Sequence, residues 1–167
     1  MKYGATGGTA AAILVLAAVS GCSDPAVERG DDGQVIGRTS AHVFEVRKGD
    51  CVDDPQVISA QQTELTDITL VHCSEPHTAE VYVDLELDGS GAPDEDAFSE
   101  LFDEHCVEEF SEYVGAEPTH RAVADLGITA FYPTDESWQR GDRLFQCLIV
   151  GSEGFPLVGS ARDLIDG

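Results

Sequence analysis

An alternating segment constrains the fold of this chain more than any other feature. Between Glu80 and Asp88 apolar residues alternate with acidic ones, and Tyr82 is the single amphipathic exception. The apolar positions are Val81, Val83, Leu85 and Leu87. This period of two predicts a strand with one buried and one solvated face, which is typical of an antiparallel sheet.

A long helix is predicted a few residues further on. Its apolar residues recur at intervals of three and four, as on one helix face. They are Phe98, Leu101, Phe102, Cys106, Phe110, Tyr113 and Val114. Asp94 is a suitable N-cap and Gly115 a suitable C-terminal residue.

Shorter apolar stretches complete the predicted sheet. We expect strands over 42–46, 68–73, 128–132 and 144–150, an edge strand over 155–161, and a helical turn after Thr134. The predicted fold class is α+β, with one long amphipathic helix packed on an antiparallel sheet and two disulfides joining them.

Four of the five cysteines are assigned to those disulfides. Four cysteines allow three pairings, and we expect Cys51–Cys73 and Cys106–Cys147. The alternative is a zinc site, because His72, His77 and His105 lie near these cysteines. No Cys-x-x-Cys pair occurs, so the spacing is poor for zinc, and neither a metal nor a cofactor is predicted.

The fifth cysteine, Cys22, predicts the compartment. Residues 1–21 contain a single charge and an apolar run too short to span a bilayer, so they are typical of a secretory signal. Val19-Ser20-Gly21-Cys22 resembles a lipobox, which implies cleavage before Cys22 and a lipid on its sulfur. The alternative is an ordinary signal with a chance cysteine.

The remaining chain divides into a tether and one domain. Residues 22–41 contain few large apolar side chains and predict a flexible tether. Residues 42–162 are numerous enough for one domain with its own core.

Net charge excludes one class of partner. The chain has 9 basic and 32 acidic residues, a formal charge of −23. Nucleic acid would be repelled, and so would an anionic membrane surface. We therefore expect a monomer held to the outer leaflet of the cell membrane by the lipid on Cys22.

Several short motifs follow one another in a recognisable order. They are Gly49-Asp50-Cys51, Cys73-Ser74-Glu75-Pro76-His77, Cys106 with Phe110 and Tyr113, Pro133-Thr134, Trp138, Gly141-Asp142-Arg143 and Cys147. Over about residues 42–160 this order resembles the septum-formation domain family of actinobacteria. The resemblance implies an extracytoplasmic, membrane-attached protein and no enzymatic activity.

Two groups of residues are candidates for catalysis or binding. Ser74, Glu75 and His77 have the residue types of a hydrolase triad, but a turn with a locally bonded His77 is the simpler interpretation. Arg143 is expected to pair with a carboxylate such as Glu80 or Asp50. The candidate binding surface consists of His77, Glu80, Trp138 and Arg143, and no catalytic residue is predicted.

Two acidic patterns suggest cations. Asp84 to Glu95 approximates the spacing of a calcium loop, although a strand rather than a helix precedes it. Five acids recur every four residues on the predicted helix and form one column of like charge. They are Asp96, Glu100, Glu104, Glu108 and Glu112. A solvated face is the simpler interpretation of that column.

These observations predict a non-catalytic, lipid-anchored protein of the cell envelope. It would act in septum formation or envelope organisation through an unknown envelope protein or the cell wall. The alternative is an extracytoplasmic lipoprotein that binds a small ligand or a cation, and a hydrolase is a third hypothesis.

Overall fold

The computed structural model describes residues 1, 27–58, 65–151, 155–162 and 164. Cys22, most of the predicted leader and the first residues of the predicted tether lie outside the described residues. Within the described part, no helix has the length and apolar character needed to cross a membrane.

One antiparallel sheet of six strands forms the centre of the domain. The strands are β1 (Thr39–His42), β2 (Cys51–Val52), β3 (Asp67–Val71), β4 (Ala79–Glu86), β5 (Leu126–Phe131) and β6 (Leu144–Gly151). They are arranged in the order β1-β3-β2-β4-β6-β5, and all adjacent strands are antiparallel. The predicted α+β class is confirmed.

The predicted long helix is also confirmed, with a local change of geometry in its middle. It comprises α1 (Glu95–Leu101), a π-helical segment (Phe102–Val107) and α2 (Glu108–Val114). Asp94 accepts the Ala97 amide at 3.0 Å as N-cap, and Gly115 ends α2 with φ 69°.

Two contacts of Cys106 hold the π-helical segment. Its sulfur is bonded to Cys147 on β6, and its carbonyl accepts the Tyr82 hydroxyl at 2.6 Å. That carbonyl is thereby bonded outside the helix, at the point where the regular α-helical ladder is interrupted. The irregularity thus coincides with the place where the helix is crosslinked to the sheet.

A β-bulge in β4 interrupts the alternation that the sequence predicts. Val81 lies opposite Leu148 and Val83 lies opposite Cys147, so Tyr82 is an extra residue in the ladder. Tyr82 and Val83 both enter the core beneath the helix, whereas Val81 enters the core on the opposite face. The prediction that Val81 and Val83 share a face is wrong, because a bulge reverses the alternation beyond it.

Both faces of the sheet are buried, and the sheet is strongly curved. The helix covers one face, and residues from the N-terminal third of the domain cover the other. His42 and Phe131, at the ends of the two edge strands, line the same groove. The sheet therefore curls until its edges approach each other without pairing.

The domain begins earlier than predicted. Val35 and Ala41 are 1% and 2% exposed, and β1 starts at Thr39. The predicted tether over 22–41 is therefore wrong for residues 29–41, which belong to the folded domain. These residues contain few apolar side chains, but the few present are buried.

Two other element boundaries differ from the prediction. The chain leaves the sheet after His42 and forms a 3-10 turn over Val43–Glu45, so 42–46 is not a continuous strand. The predicted edge strand over 155–161 is reduced to one antiparallel bridge between Leu157 and His77. The short helix after Thr134, α3 (Asp135–Gln139), is confirmed.

Candidate functional site

Two motifs of the sequence, Gly49-Asp50-Cys51 and Cys73-Ser74-Glu75-Pro76-His77, meet at one end of the sheet. Here residues 27–38, the N-terminal strap, and residues 155–162, the C-terminal strap, fold onto the Cys51–Cys73 disulfide. We call this region the clasp. Both predicted disulfides, Cys51–Cys73 and Cys106–Cys147, are present.

Glu80 holds the C-terminal strap from beneath. Its carboxylate is 1% exposed and accepts hydrogen bonds from the Tyr113 hydroxyl at 2.7 Å, the Ser160 hydroxyl at 2.6 Å and the Ala161 amide at 2.5 Å. The Arg162 guanidinium lies 4.7 Å from the centre of the Tyr113 ring. Burial first, and then the nearby Glu80 carboxylate, raise the pKa of Tyr113, so its hydroxyl remains a donor.

His77 lies in the same region and is fully buried. Its main chain exchanges two hydrogen bonds with Leu157, and its Nδ1 lies 2.8 Å from the Glu75 carbonyl. Its Nε2 has no hydrogen-bond partner within the described part of the chain. His77 therefore stabilises a turn and the C-terminal strap, and it is inaccessible to a surface ligand.

The N-terminal strap is held by a buried ion pair. Arg29 donates through both terminal nitrogens to the carboxylate of Asp50, which is 2% exposed. Gln34 adds a hydrogen bond to the Gly49 carbonyl at 3.2 Å and accepts the Cys73 amide at 3.3 Å. The predicted pairing of Arg143 with Glu80 or Asp50 is therefore wrong, because donors from the two straps bind both carboxylates.

Arg143 instead packs against Trp138. Its guanidinium lies 3.8 Å from the centre of the indole ring and donates to the carbonyls of Trp138 and Asp142 at 2.8 and 2.6 Å. The Arg143 carbonyl accepts the Leu87 amide. Leu87 follows Glu80 by seven residues of extended chain, so Arg143 lies roughly 20 Å from Glu80. The four residues of the predicted binding surface thus lie in two separate pairs.

A serine, a histidine and an aspartate do come together, but not as the sequence predicted. The partner of Ser74 is His72, with Oγ and Nδ1 2.8 Å apart, and His72 Nε2 lies 3.5 Å from Asp32. The amides of Ser74 and Glu75 both donate to His72 and leave no N–H beside the serine for an oxyanion. Residues 72–75 therefore form a turn that local hydrogen bonds stabilise.

Neither acidic pattern forms a cation site among the described residues. Asp84, the first acid of the calcium-like loop, accepts hydrogen bonds from the Gln146 side chain at 2.7 Å and the Lys48 amide at 2.8 Å. The five acids of the helix column are exposed, and the π-helical segment interrupts their four-residue spacing. The potential metal ligands that cluster in the described part are Cys51, Cys73 and Glu80, whose sulfurs are already in the disulfide.

A concave surface that was not predicted lies away from the clasp. It has a volume of about 710 Å³ and lies between the two edges of the curled sheet, so we call it the seam groove. Its walls include Phe44, Leu65, Ala130, Phe131 and Tyr132, with Arg140 at α3. No sequence signal could have revealed it, because it depends on the curl that brings His42 near Phe131.

The fold and the clasp define a class of small, crosslinked α+β domains in which the two straps close over one disulfide. Residues 29–162 match the family model described as septum formation, and the chain belongs to this family. The predicted membership is confirmed, and the match begins at Arg29, within the N-terminal strap. Searches of curated proteins and of solved structures found no match.

Proposed function

We propose that this protein is a non-catalytic, lipid-anchored component of the cell envelope that acts in septum formation by contacting another envelope component. Cys22 would carry the lipid and hold the domain at the outer leaflet. The family match over residues 29–162 is the observation that carries the proposal.

The location of the motif residues supports a non-catalytic role. Asp50, His77 and Glu80 are buried and serve the clasp, and the turn at Ser74 lacks free amides beside its hydroxyl. The two disulfides are consistent with an oxidising compartment. The acidic charge would disfavour adhesion to anionic lipids, which gives the lipid on Cys22 the role of attachment.

Replacing the proposed lipid acceptor tests the anchor. We expect a Cys22→Ser variant to leave the membrane fraction and to appear folded in the medium, with both disulfides intact. Mass spectrometry of the unmodified protein should find the lipid on Cys22. An unmodified Cys22 in a membrane-bound protein would refute the anchor without affecting the family assignment.

Depletion tests the role at the septum. We expect longer cells with misplaced or incomplete septa, and recovery when either the native protein or a Ser74→Ala variant is expressed. A requirement for the Ser74 hydroxyl would contradict the non-catalytic proposal. Normal division after complete depletion would contradict the septal role.

Small-ligand binding is the second candidate function, and the seam groove favours it. Its volume of about 710 Å³ lies within the usual range for ligand pockets, and it combines aromatic walls with polar groups. Soluble cell-wall fragments added to isotope-labelled protein would test it. Saturable shifts confined to residues around Phe44 and Phe131 are the expected result for a ligand site.

A further inference from the structure

The seam groove meets the end of an edge strand. Ala130, Phe131 and Tyr132 are consecutive and all line it. Ala130 and Tyr132 pack with the core beneath the helix, whereas Phe131 packs with the core on the opposite face. Because neighbouring residues that point to opposite faces of the sheet share one groove, the groove meets the outer edge of β5 at the C-terminal end of that strand.

That edge has no strand partner in the described part of the chain. β5 is last in the strand order and pairs with β6 alone. Alternate residues of Leu126–Phe131 therefore point main-chain N–H and C=O groups outward, over a length of about 20 Å.

The edge also lacks the usual protection against pairing. Soluble proteins commonly protect such edges with charged residues, proline or a bulge. Leu126–Phe131 contains no charge and no proline, and its ladder with β6 is regular. The opposite edge, β1, has only four residues, and Arg38 directly before it pairs with Asp53.

Electrostatics indicate the kind of strand that would fit. Asp67 and Asp125 are exposed and each adjoins an edge or lining residue, and Asp142 lines the groove itself. The lining residue Arg140 is paired with Glu136 at 2.8 Å, and Glu45, next to Phe44, is half-buried. A second copy would bring another net charge of −23 to the same place. A basic segment would instead be attracted.

The opposite wall of the groove supplies an apolar contact. Phe44 is 45% exposed, and its ring centre lies 4.6 Å from that of His42 with the two planes tilted by 60°. The 3-10 turn thus holds the Phe44 ring in a defined position where it remains accessible. A strand added beside β5 would direct alternate side chains toward this wall. The partner therefore needs apolar residues alternating with basic ones.

We infer that the seam groove binds an extended segment of a partner protein, in which lysine or arginine alternates with apolar residues, as an additional strand on β5. The inference names the partner chemistry of the proposed interaction role and rests on it. Main-chain hydrogen bonds would supply the affinity, and Phe44 and the surrounding acids the selectivity.

The test uses the full-length protein with Cys22→Ser and synthetic peptides of about eight residues. One peptide alternates valine with lysine, a second has the same sequence with N-methyl groups on alternate amides, and a third replaces lysine by glutamate. Calorimetry measures affinity, and amide chemical shifts locate the contact. This experiment requires neither the lipid nor a location at the septum. A failure of peptide binding can therefore be told apart from a failure of the proposed anchor or septal role.

We expect the lysine peptide to shift the amides of residues 126–132 and to bind several-fold more weakly as salt rises from about 50 to about 300 mM. The N-methylated peptide and the glutamate peptide should each bind at least about tenfold more weakly than the lysine peptide. Phe44→Ala should lower the affinity of the protein for the lysine peptide about fivefold. Ile36→Ala, a control at a 60% exposed apolar residue outside the groove, should leave its affinity unchanged.

Four results of the peptide experiments would overturn the inference. They are equal binding of the N-methylated peptide, equal binding of the glutamate peptide, shifts confined to the acidic helix, and no binding at about 1 mM. Concentration-dependent dimerisation that shifts residues 126–132 without peptide would overturn it in favour of a second copy as the occupant.

Discussion

The clasp and the seam groove use polar and aromatic residues in opposite ways. In the clasp, Glu80 and Asp50 are almost fully buried and each is held by donors from a strap. In the groove, Phe44 is half-exposed and the outer edge of β5 has no strand partner in the described part. The motifs around Asp50, His77 and Glu80 therefore hold the fold together, whereas Thr134 and Asp142, from the later motifs, line the open surface.

The largest expected effect comes from removing the clasp disulfide. The bond closes a loop with a sequence separation of 22, so the double variant Cys51→Ala/Cys73→Ala should lose about 3 kcal/mol of unfolding free energy. Chemical denaturation under non-reducing conditions measures it. An unchanged midpoint would show that the hydrogen bonds to the straps suffice to hold the clasp.

Glu80→Ala should have the next largest effect. It leaves the Tyr113 hydroxyl, the Ser160 hydroxyl and the Ala161 amide without their acceptor, at a cost of about 2 kcal/mol. Glu86→Ala is the matched control, because Glu86 is an exposed acid on the same strand and should change stability by about 0.5 kcal/mol at most. Equal effects of the two variants would refute the role of Glu80 in holding the C-terminal strap.

Alkaline pH should weaken the domain through Tyr82 and Tyr113. Burial, and to a smaller extent nearby carboxylates, raises the pKa of both hydroxyls. Above about pH 10 the unfolded chain loses these protons while the folded chain keeps them. Stability should therefore be fully present below that pH and fall by about 1.4 kcal/mol per pH unit for each tyrosine above it.

Denaturation at several alkaline pH values measures this slope, and Tyr82→Phe should make it shallower. Phenylalanine lacks the ionisable hydroxyl but also loses the hydrogen bond to the Cys106 carbonyl, so the variant should start from a lower stability at neutral pH. The same slope in both proteins would assign the alkaline loss to other groups.

The smallest effect on stability is expected in the groove. Phe44→Ala should reduce the unfolding free energy by about 1 kcal/mol or less, because its side chain is 45% exposed. Comparison of its thermal melt with that of Glu80→Ala would sharpen the contrast between the two regions. A larger loss for Phe44→Ala would show that the groove wall supports the fold as strongly as the clasp does.

Periodic patterns predicted most of the secondary structure. Apolar residues every three or four positions, with Asp94 and Gly115 as caps, define the helix because each of these signals is local. Apolar patterns also indicated β3, β4, β5 and β6, though not β2, and the even number of cysteines predicted two disulfides. The π-helical segment and the bulge at Tyr82 were not predicted, because the Cys106–Cys147 bond and the Tyr82 hydrogen bond join distant residues.

The candidate sites were less predictable than the fold. His77 and Glu80 were assigned to a candidate binding surface, but the fold buries both of them. The N-terminal strap was missed because its apolar residues are isolated among glycine and aspartate. Val35 can be recognised as a core residue only when the pairing of Arg29 with Asp50 is known.

The early start of the domain limits how far it can stand from its proposed attachment point. Val27 already packs against the core, and it is the fifth residue after Cys22. Even fully extended, five residues reach only about 17 Å. A lipid on Cys22 would therefore hold the start of the domain within about 17 Å of the bilayer. Any binding partner would have to reach the domain close to the membrane surface.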